Sequence, residues 1–203
     1  MVSDVSGKRR AGRLGTRDIC YIAIFTAIIA VLSQLSIPMP AGVPMTLQTF
    51  IIPLAGVVLG TKRGTIATLV YVLLGAAGVP VFSGFSGGIG VVLGVTGGFI
   101  VSFPIMAAAS GMGAAAFYGA SGTDGGRAPA FRRYALLLSG LIAGALINYV
   151  VGMLWFSVAA DTPIGRSFVL VVLPFLPTTV VKIALDAWIG PRLRSALERA
   201  RVL

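Results

Sequence analysis

The sequence predicts an all-α membrane protein of six transmembrane helices with both termini in the cytoplasm. Three observations predict it. Of the 203 residues, 57% are apolar and only 11% are charged, where a soluble domain is roughly a quarter charged. One core saturates, so a soluble fold cannot hide this much apolar surface, whereas lipid can solvate it. Charge is absent from Ile19 to Thr61 and again from Gly64 to Thr123. The basic residues, net +10, gather in short segments between apolar runs, as in loops held on one side of a membrane. A nucleic-acid binder would instead show a basic face on a folded domain.

A spanning helix needs roughly 17 to 25 mostly apolar residues. The first run is Ile19 to Leu35. Basic residues precede it (Lys8, Arg9, Arg10, Arg13 and Arg17), which resembles a signal peptide. Equally apolar runs follow, however, and no small-residue cleavage site leads into a soluble domain, so it reads as a retained first helix. A turn with three prolines spans Ser36 to Met45 and cannot sit inside a helix. The second helix is Leu47 to Gly60. Thr61-Lys62-Arg63 forms a charged corner, and the third helix is Gly64 to Ala77.

The stretch from Gly78 to Gly98 is too rich in glycine for a regular helix and too apolar for a solvated loop. Irregular backbone at membrane depth survives only against protein or a water-filled cavity. This segment is expected to fold back and line something. The fourth helix is Phe99 to Tyr118. A polar linker, Gly119 to Arg133, leads to the fifth, Tyr134 to Phe156. Pro174 and Pro177 interrupt the next apolar run, and the sixth helix starts at Pro177 and passes Trp188. Residues 1–18 and 191–203 read as basic cytoplasmic tails flanking one transmembrane domain, 19–190.

Six spans sort the charges. The five N-terminal basic residues, Lys62 and Arg63, Arg127, Arg132 and Arg133, and Arg192, Arg194, Arg199 and Arg201 all fall on one side. Arg166 falls on the other, and Lys182 lies inside the sixth helix. An odd number of spans would break this asymmetry, and the positive-inside rule puts both termini in the cytoplasm.

The chain has no histidine, which removes the commonest general base and metal ligand. Cys20 has no cysteine partner and reads as a small buried apolar residue. Gly84-Phe-Ser-Gly-Gly88 matches the G-x-S-x-G pattern of serine hydrolases but lacks a histidine and a strand–turn–helix setting. No G-x-x-x-x-G-K-S/T occurs, so any ATPase is another subunit. An enzyme and a plain membrane anchor are the competing classes; an anchor would bind no ligand saturably.

Lys182 is the most informative residue. A lysine at the bilayer centre costs about 3 kcal/mol on insertion scales. Three readings stand: contact with an anionic ligand, a pair with Asp186 one turn on, or snorkelling to the outer surface. Polar residues at the outer helix ends come next: Thr46, Gln48, Ser83, Ser86, Thr96, Asn148 and Tyr149. Capping explains most hydroxyls there, but buried amides such as Gln48 and Asn148 need partners. Such groups in an apolar pocket suit a small, mainly neutral ligand with one acidic end. Ala23 and Ala27, and Gly140 and Gly144, are small residues four apart, which permit close helix approach. For the glycines packing within the chain is the simpler reading; the alanines could dock a partner.

Several segments in this order resemble the BioY family, the biotin-specific S components of energy-coupling factor (ECF) transporters. They are Pro44-Met-Thr-Leu-Gln-Thr49, Leu59-Gly-Thr-Lys-Arg-Gly64, Tyr71 to Phe82, Gly94-Val-Thr-Gly-Gly-Phe99, Tyr149-Val-Val-Gly-Met-Leu-Trp155 and Pro174 to Lys182. The resemblance covers about Arg17 to Arg194. It implies an S-component-like bundle in the cytoplasmic membrane of a bacterial cell that binds biotin from outside. A T component and ABC-type ATPase subunits are its implied partners, with Ala23 and Ala27 facing the T component. Biotin is cargo, and no cofactor is implied. An S component for another small vitamin, or a transporter acting alone, are the alternatives. Biotin would set its apolar body against Phe82, Phe85 and Trp155. Its ureido group would meet Gln48, Thr46 or Asn148, with Ser86 and Tyr149 also in the site, and its carboxylate would meet Lys182. Thr179 stands where the family has aspartate, and Phe99 where it has tyrosine. The proline-rich turn and the glycine-rich segment are expected to close over the site as lids.

Overall fold

The computed structural model describes residues 15–39, 42–120 and 129–200. The basic residues Lys8 to Arg13, Asp124 and Arg127 of the linker, and Arg201 lie outside the described residues.

Helices dominate: α1 (Thr16–Leu32), α2 (Gln48–Leu59), α3 (Thr61–Ala76), α4 (Ile89–Leu93), α5 (Gly97–Gly119), α6 (Ala130–Ala159), α7 (Ile164–Val171) and α8 (Leu176–Arg199). A two-stranded antiparallel ladder, β1 (Ser36–Ile37) with β2 (Met45–Thr46), closes the proline-rich turn. Three stretches among the described residues are long and apolar enough to cross a membrane: Gly97–Gly119, Ala130–Ala159 and Ile164–Arg199, which runs through α7 and α8. Each run read from the sequence corresponds to a helix of twelve or more residues. The helices overrun the apolar segments. α6 begins at Ala130 and takes in Arg132 and Arg133, and α8 continues through Arg199, so the basic stretch 191–199 is helical.

Local chemistry sets the ends. The Asp18 carboxylate accepts from the Gly15 amide at 2.9 Å at the start of α1, where the helix dipole favours an anion. Asp18 also pairs with Arg63 at 2.6 Å, tying the start of α1 to the first turn of α3. Gly60, at φ 81° and ψ 170°, makes the corner between α2 and α3, a conformation open essentially only to glycine that costs other residues roughly 1–3 kcal/mol.

α5 and α6 form the tightest pair. Asn148 reaches Phe99 and Ser102 near the start of α5, while Gly140 meets Gly113 near its end, so the two helices run antiparallel. A Cβ on Gly140 would lie 2.6 Å from the Gly113 Cα, and one on Gly144 would lie 2.9 Å from the Met106 carbonyl oxygen. The small residues of α6 therefore pack within the chain, which is how small-residue spacing brings helices together in lipid.

The buried core gathers Ile29, Ile52, Ala67, Tyr71, Phe82, Phe103, Ala107 and Val171. Outside it, α6 exposes Ile142, Leu146, Val150, Leu154 and Val158, and α8 exposes Val180, Val181, Leu185 and Trp188. Exposed apolar rows of this length belong against lipid or a partner. Cys20, expected to be buried, is exposed. It falls four residues before Ile24, on a helix whose core side is instead Ile22, Phe25, Thr26 and Ile29. A single small apolar residue gives no clue to its helix face until the helix's register is known.

Candidate functional site

A cavity of about 260 Å³ opens beneath the β1–β2 turn, slightly under the 300–1,000 Å³ usual for small-molecule sites. Five parts of the chain converge on it. The turn and the start of α2 give Val43, Thr46, Gln48 and Thr49. The glycine-rich segment gives Phe82, Ser83, Ser86 and Val91. Thr96 and α5 add Phe99, Ile100 and Phe103. α6 adds Asn148 and Tyr149, and the α7–α8 junction adds Val171 and Phe175.

The glycine-rich segment lines this cavity because of how it folds. Phe82 and Ser86 pair as a single bridge around a tight turn, Ser83–Phe85. The Phe82 ring lies so close to Gly75 that a Cβ there would sit 2.2 Å from the ring. Gln34 ties the segment to the end of α1. Its Nε2 donates to the Val81 carbonyl at 3.1 Å, and its Oε1 accepts from the Phe85 amide at 2.8 Å.

The amides expected to await a ligand are engaged. Gln48 Nε2 donates to the Tyr71 hydroxyl at 2.7 Å, Tyr71 donates on to the Val81 carbonyl, and the Thr46 hydroxyl donates to Gln48 Oε1 at 2.9 Å. Asn148 Nδ2 donates to the Phe99 carbonyl at 3.0 Å and to Ser102 Oγ at 2.8 Å. These bonds hold the wall rigid, since breaking one would leave a buried polar group unpaired at about 1–3 kcal/mol. Ser86 Oγ donates to the Ser83 carbonyl at 2.8 Å. The G-x-S-x-G match is therefore a turn, not a nucleophile elbow.

Lys182 adopts neither simple alternative. Its ammonium donates to the Thr46 carbonyl at 2.7 Å and to Thr49 Oγ1 at 2.8 Å. Both acceptors belong to residues that line the cavity, so the cation stands directly behind the wall. The Thr179 hydroxyl, a turn earlier on α8, hydrogen-bonds the Tyr149 hydroxyl and so braces a lining residue without lining the cavity itself.

Of the predicted site residues, Thr46, Gln48, Phe82, Ser86, Asn148 and Tyr149 come together on the cavity wall; Lys182 and Thr179 stand behind it. Trp155 does not join them. It faces a separate apolar hollow with Leu93, Val151, Leu154 and Val158, and its indole donates to the Gly94 carbonyl at 2.9 Å. It lies about two turns along α6 from Asn148, beyond the cavity's reach. Phe85 is 72% exposed and points away. Sequence reasoning missed Thr49, Phe103, Val171 and Phe175. Thr49, beside Gln48 in the first turn of α2, was the readable one; the others are apolar residues with no signal to separate them from core.

A sequence model of the BioY family matches residues 5–199. The chain belongs to the BioY family. Among its BioY relatives, the "Probable biotin transporter BioY" of Pyrococcus horikoshii is 38% identical over 178 residues, covering 88% of this chain and 96% of the relative. The "Biotin transporter BioY" of Rhizobium etli is 32% identical over 180 residues, covering 87% and 92%. The fold agrees with a crystal structure, at 2.1 Å, of the S-component for biotin from an ECF-type ABC transporter. The TM-score is 0.75 at 28% identity, over 90% of this BioY chain and 95% of the other.

Proposed function

We propose that this chain is the substrate-binding S component of an ECF-type transporter and takes up biotin across the cytoplasmic membrane. The observation that carries the reading is the cavity beneath the β1–β2 turn, with one ammonium behind its wall, in a chain related over most of its length to biotin transporters.

The chemistry of the wall suits the cargo. Phe82, Phe99, Ile100 and Phe103 match an apolar bicycle and chain. Thr46, Gln48, Ser86, Thr96, Asn148 and Tyr149 offer hydrogen bonds for a ureido group. Lys182 meets the carboxylate, exchanging the Thr46 and Thr49 oxygens for it. No cofactor enters this scheme.

We read α1, α2, α3, α5, α6 and α8 as six spans with both termini inside. Contacts at one end of the bundle support this. Arg63 pairs with Asp18, Arg194 stacks on Tyr118 at 4.2 Å, and Arg133 stacks on Phe117 at 4.4 Å. Arg194 also lies beside Gly60 at the start of α3, so the basic ends of α1, α3, α6 and α8 gather with the end of α5 on one face, as the positive-inside rule asks of a cytoplasmic side. Ala23 and Ala27 are exposed on α1 beside Ile24 and Ile28, a surface suited to a membrane-embedded T component, which would couple the chain to ABC-type ATPases.

Labelled biotin binding to the purified chain tests the reading. Saturable binding, displaced by unlabelled biotin and not by other water-soluble vitamins, is the expected result. Displacement by a different vitamin would reassign the cargo, and absence of saturable binding would contradict the function.

A further inference from the structure

The glycine-rich segment is a flap with a single neck. The amides of Gly78 and Gly88 both donate to the Gly75 carbonyl, at 3.1 and 2.7 Å, so the chain leaves α3 and returns to it at one point. Both glycines are left-handed, at φ 104° and 100°, and a few residues at the end of an element are enough to absorb a hinge motion. Between them, Phe82, Ser83 and Ser86 line the cavity, while Phe85 is exposed. The flap therefore has one face on the cavity and one face away from it.

Beyond the neck two side chains hold the flap. Tyr71 donates to the Val81 carbonyl at 3.2 Å from α3. Gln34, just past the end of α1, grips it twice: its Nε2 donates to the Val81 carbonyl at 3.1 Å, and its Oε1 accepts from the Phe85 amide at 2.8 Å. The Nε2 also donates to the Ala30 carbonyl at 3.0 Å, which fixes the amide to α1. Gln34 does not line the cavity. A molecule in the cavity does not compete for its bonds, unlike those of Lys182.

We propose that Gln34 is a positioning residue for cargo exchange: its carboxamide latches the flap shut and sets how fast biotin enters and leaves, while the cavity wall sets the affinity. This rests on the reading of the cavity as the biotin site. The latch joins the same atoms whether or not cargo is bound. Its loss favours the open flap equally in both forms, so entry and exit quicken together and their ratio holds.

Stopped-flow association and dissociation of labelled biotin on the purified full chain test this, with Gln34→Leu, a side chain of similar size that cannot form the bonds. Both rate constants should rise on the order of tenfold, as the loss of two neutral hydrogen bonds supports, with Kd within about threefold of the parent. Gln34→Glu keeps the acceptor for the Phe85 amide and loses the donor. Its rates should fall between, and it serves where leucine disturbs folding. A second readout needs no biotin. In a Cys20→Ser background, Val171→Cys puts a thiol on the buried cavity wall, and its alkylation by N-ethylmaleimide should quicken when Gln34→Leu is added. Unchanged exchange and alkylation rates overturn the inference. A weaker affinity with unchanged association means that Gln34 shapes the wall, and also overturns it. If the parent binds no biotin, the cargo reading fails, and the alkylation rates still decide whether Gln34 holds the flap.

Discussion

The Lys182 ammonium and the Thr46 carbonyl oxygen stand 2.7 Å apart although 136 positions separate them in the chain. One bond thus links the N-terminal half of α8 to the strand that leads into α2. The cation is held where it can be exchanged onto a ligand, because its acceptors belong to residues of the cavity wall. Thr49 Oγ1 is the second acceptor.

Replacing Thr49 with valine removes that second acceptor at nearly constant volume. A hydrogen bond to a charged group contributes about 1.5–3 kcal/mol. Thr49→Val should lower the stability of the purified protein by about that amount, measured by denaturation in detergent. A variant as stable as the parent would mean the ammonium does not depend on this contact.

Trp155 separates the sequence reading from the structural one. Placed in the site, it would matter to the cargo. Placed where it stands, against the Gly94 carbonyl, it matters to the join between α6 and the segment before α5. Trp155→Phe should leave biotin affinity within about threefold and cost about 1 kcal/mol of stability. A large loss of affinity with intact stability would restore the earlier reading.

Gly75 sets the position of a cavity wall. A methyl group there overlaps the Phe82 ring, and overpacking of this kind typically costs 1–3 kcal/mol. Gly75→Ala drives the ring into the cavity, so biotin affinity should fall at least on the order of tenfold. Equilibrium binding checks it; unchanged affinity would show that the ring has room to retreat elsewhere.

The proposed six-span topology predicts opposite sides for Lys62 and Arg166. In a Cys20→Ser background, a cysteine at 166 should react with an impermeant maleimide added to intact cells, and a cysteine at 62 should react only after permeabilisation. Labelling of both from outside would contradict the arrangement.

The helices were legible because lipid demands long apolar runs, and each of those runs is a helix. Their ends were less so. Hydropathy reports the apolar part of a helix, whereas hydrogen bonding carries α6 back through Arg133 to Ala130 and α8 on to Arg199. The glycine-rich segment was legible as a cavity wall, since its composition suits neither a helix nor water. Its Ser83–Phe85 turn and the short α4 were not, because they depend on contacts with Gln34, 51 positions from Phe85, and with Gly75 on α3. In the site, Gln48 and Asn148 were recognised as amides in need of partners. That those partners are Tyr71, Thr46, Phe99 and Ser102 depends on how α2, α3, α5 and α6 pack, and no local pattern encodes it. Trp155 was misplaced because it shares its face of α6 with Asn148, about two turns away, and the sequence does not say how far along α6 the cavity extends.

The most direct test is the affinity of the purified chain for biotin before and after Lys182→Ala. Losing a cation paired with a carboxylate away from bulk water costs 2–5 kcal/mol or more, so the dissociation constant should rise on the order of a hundredfold in a protein that remains folded. A folded Lys182→Ala protein that binds biotin as tightly as the parent would contradict the account.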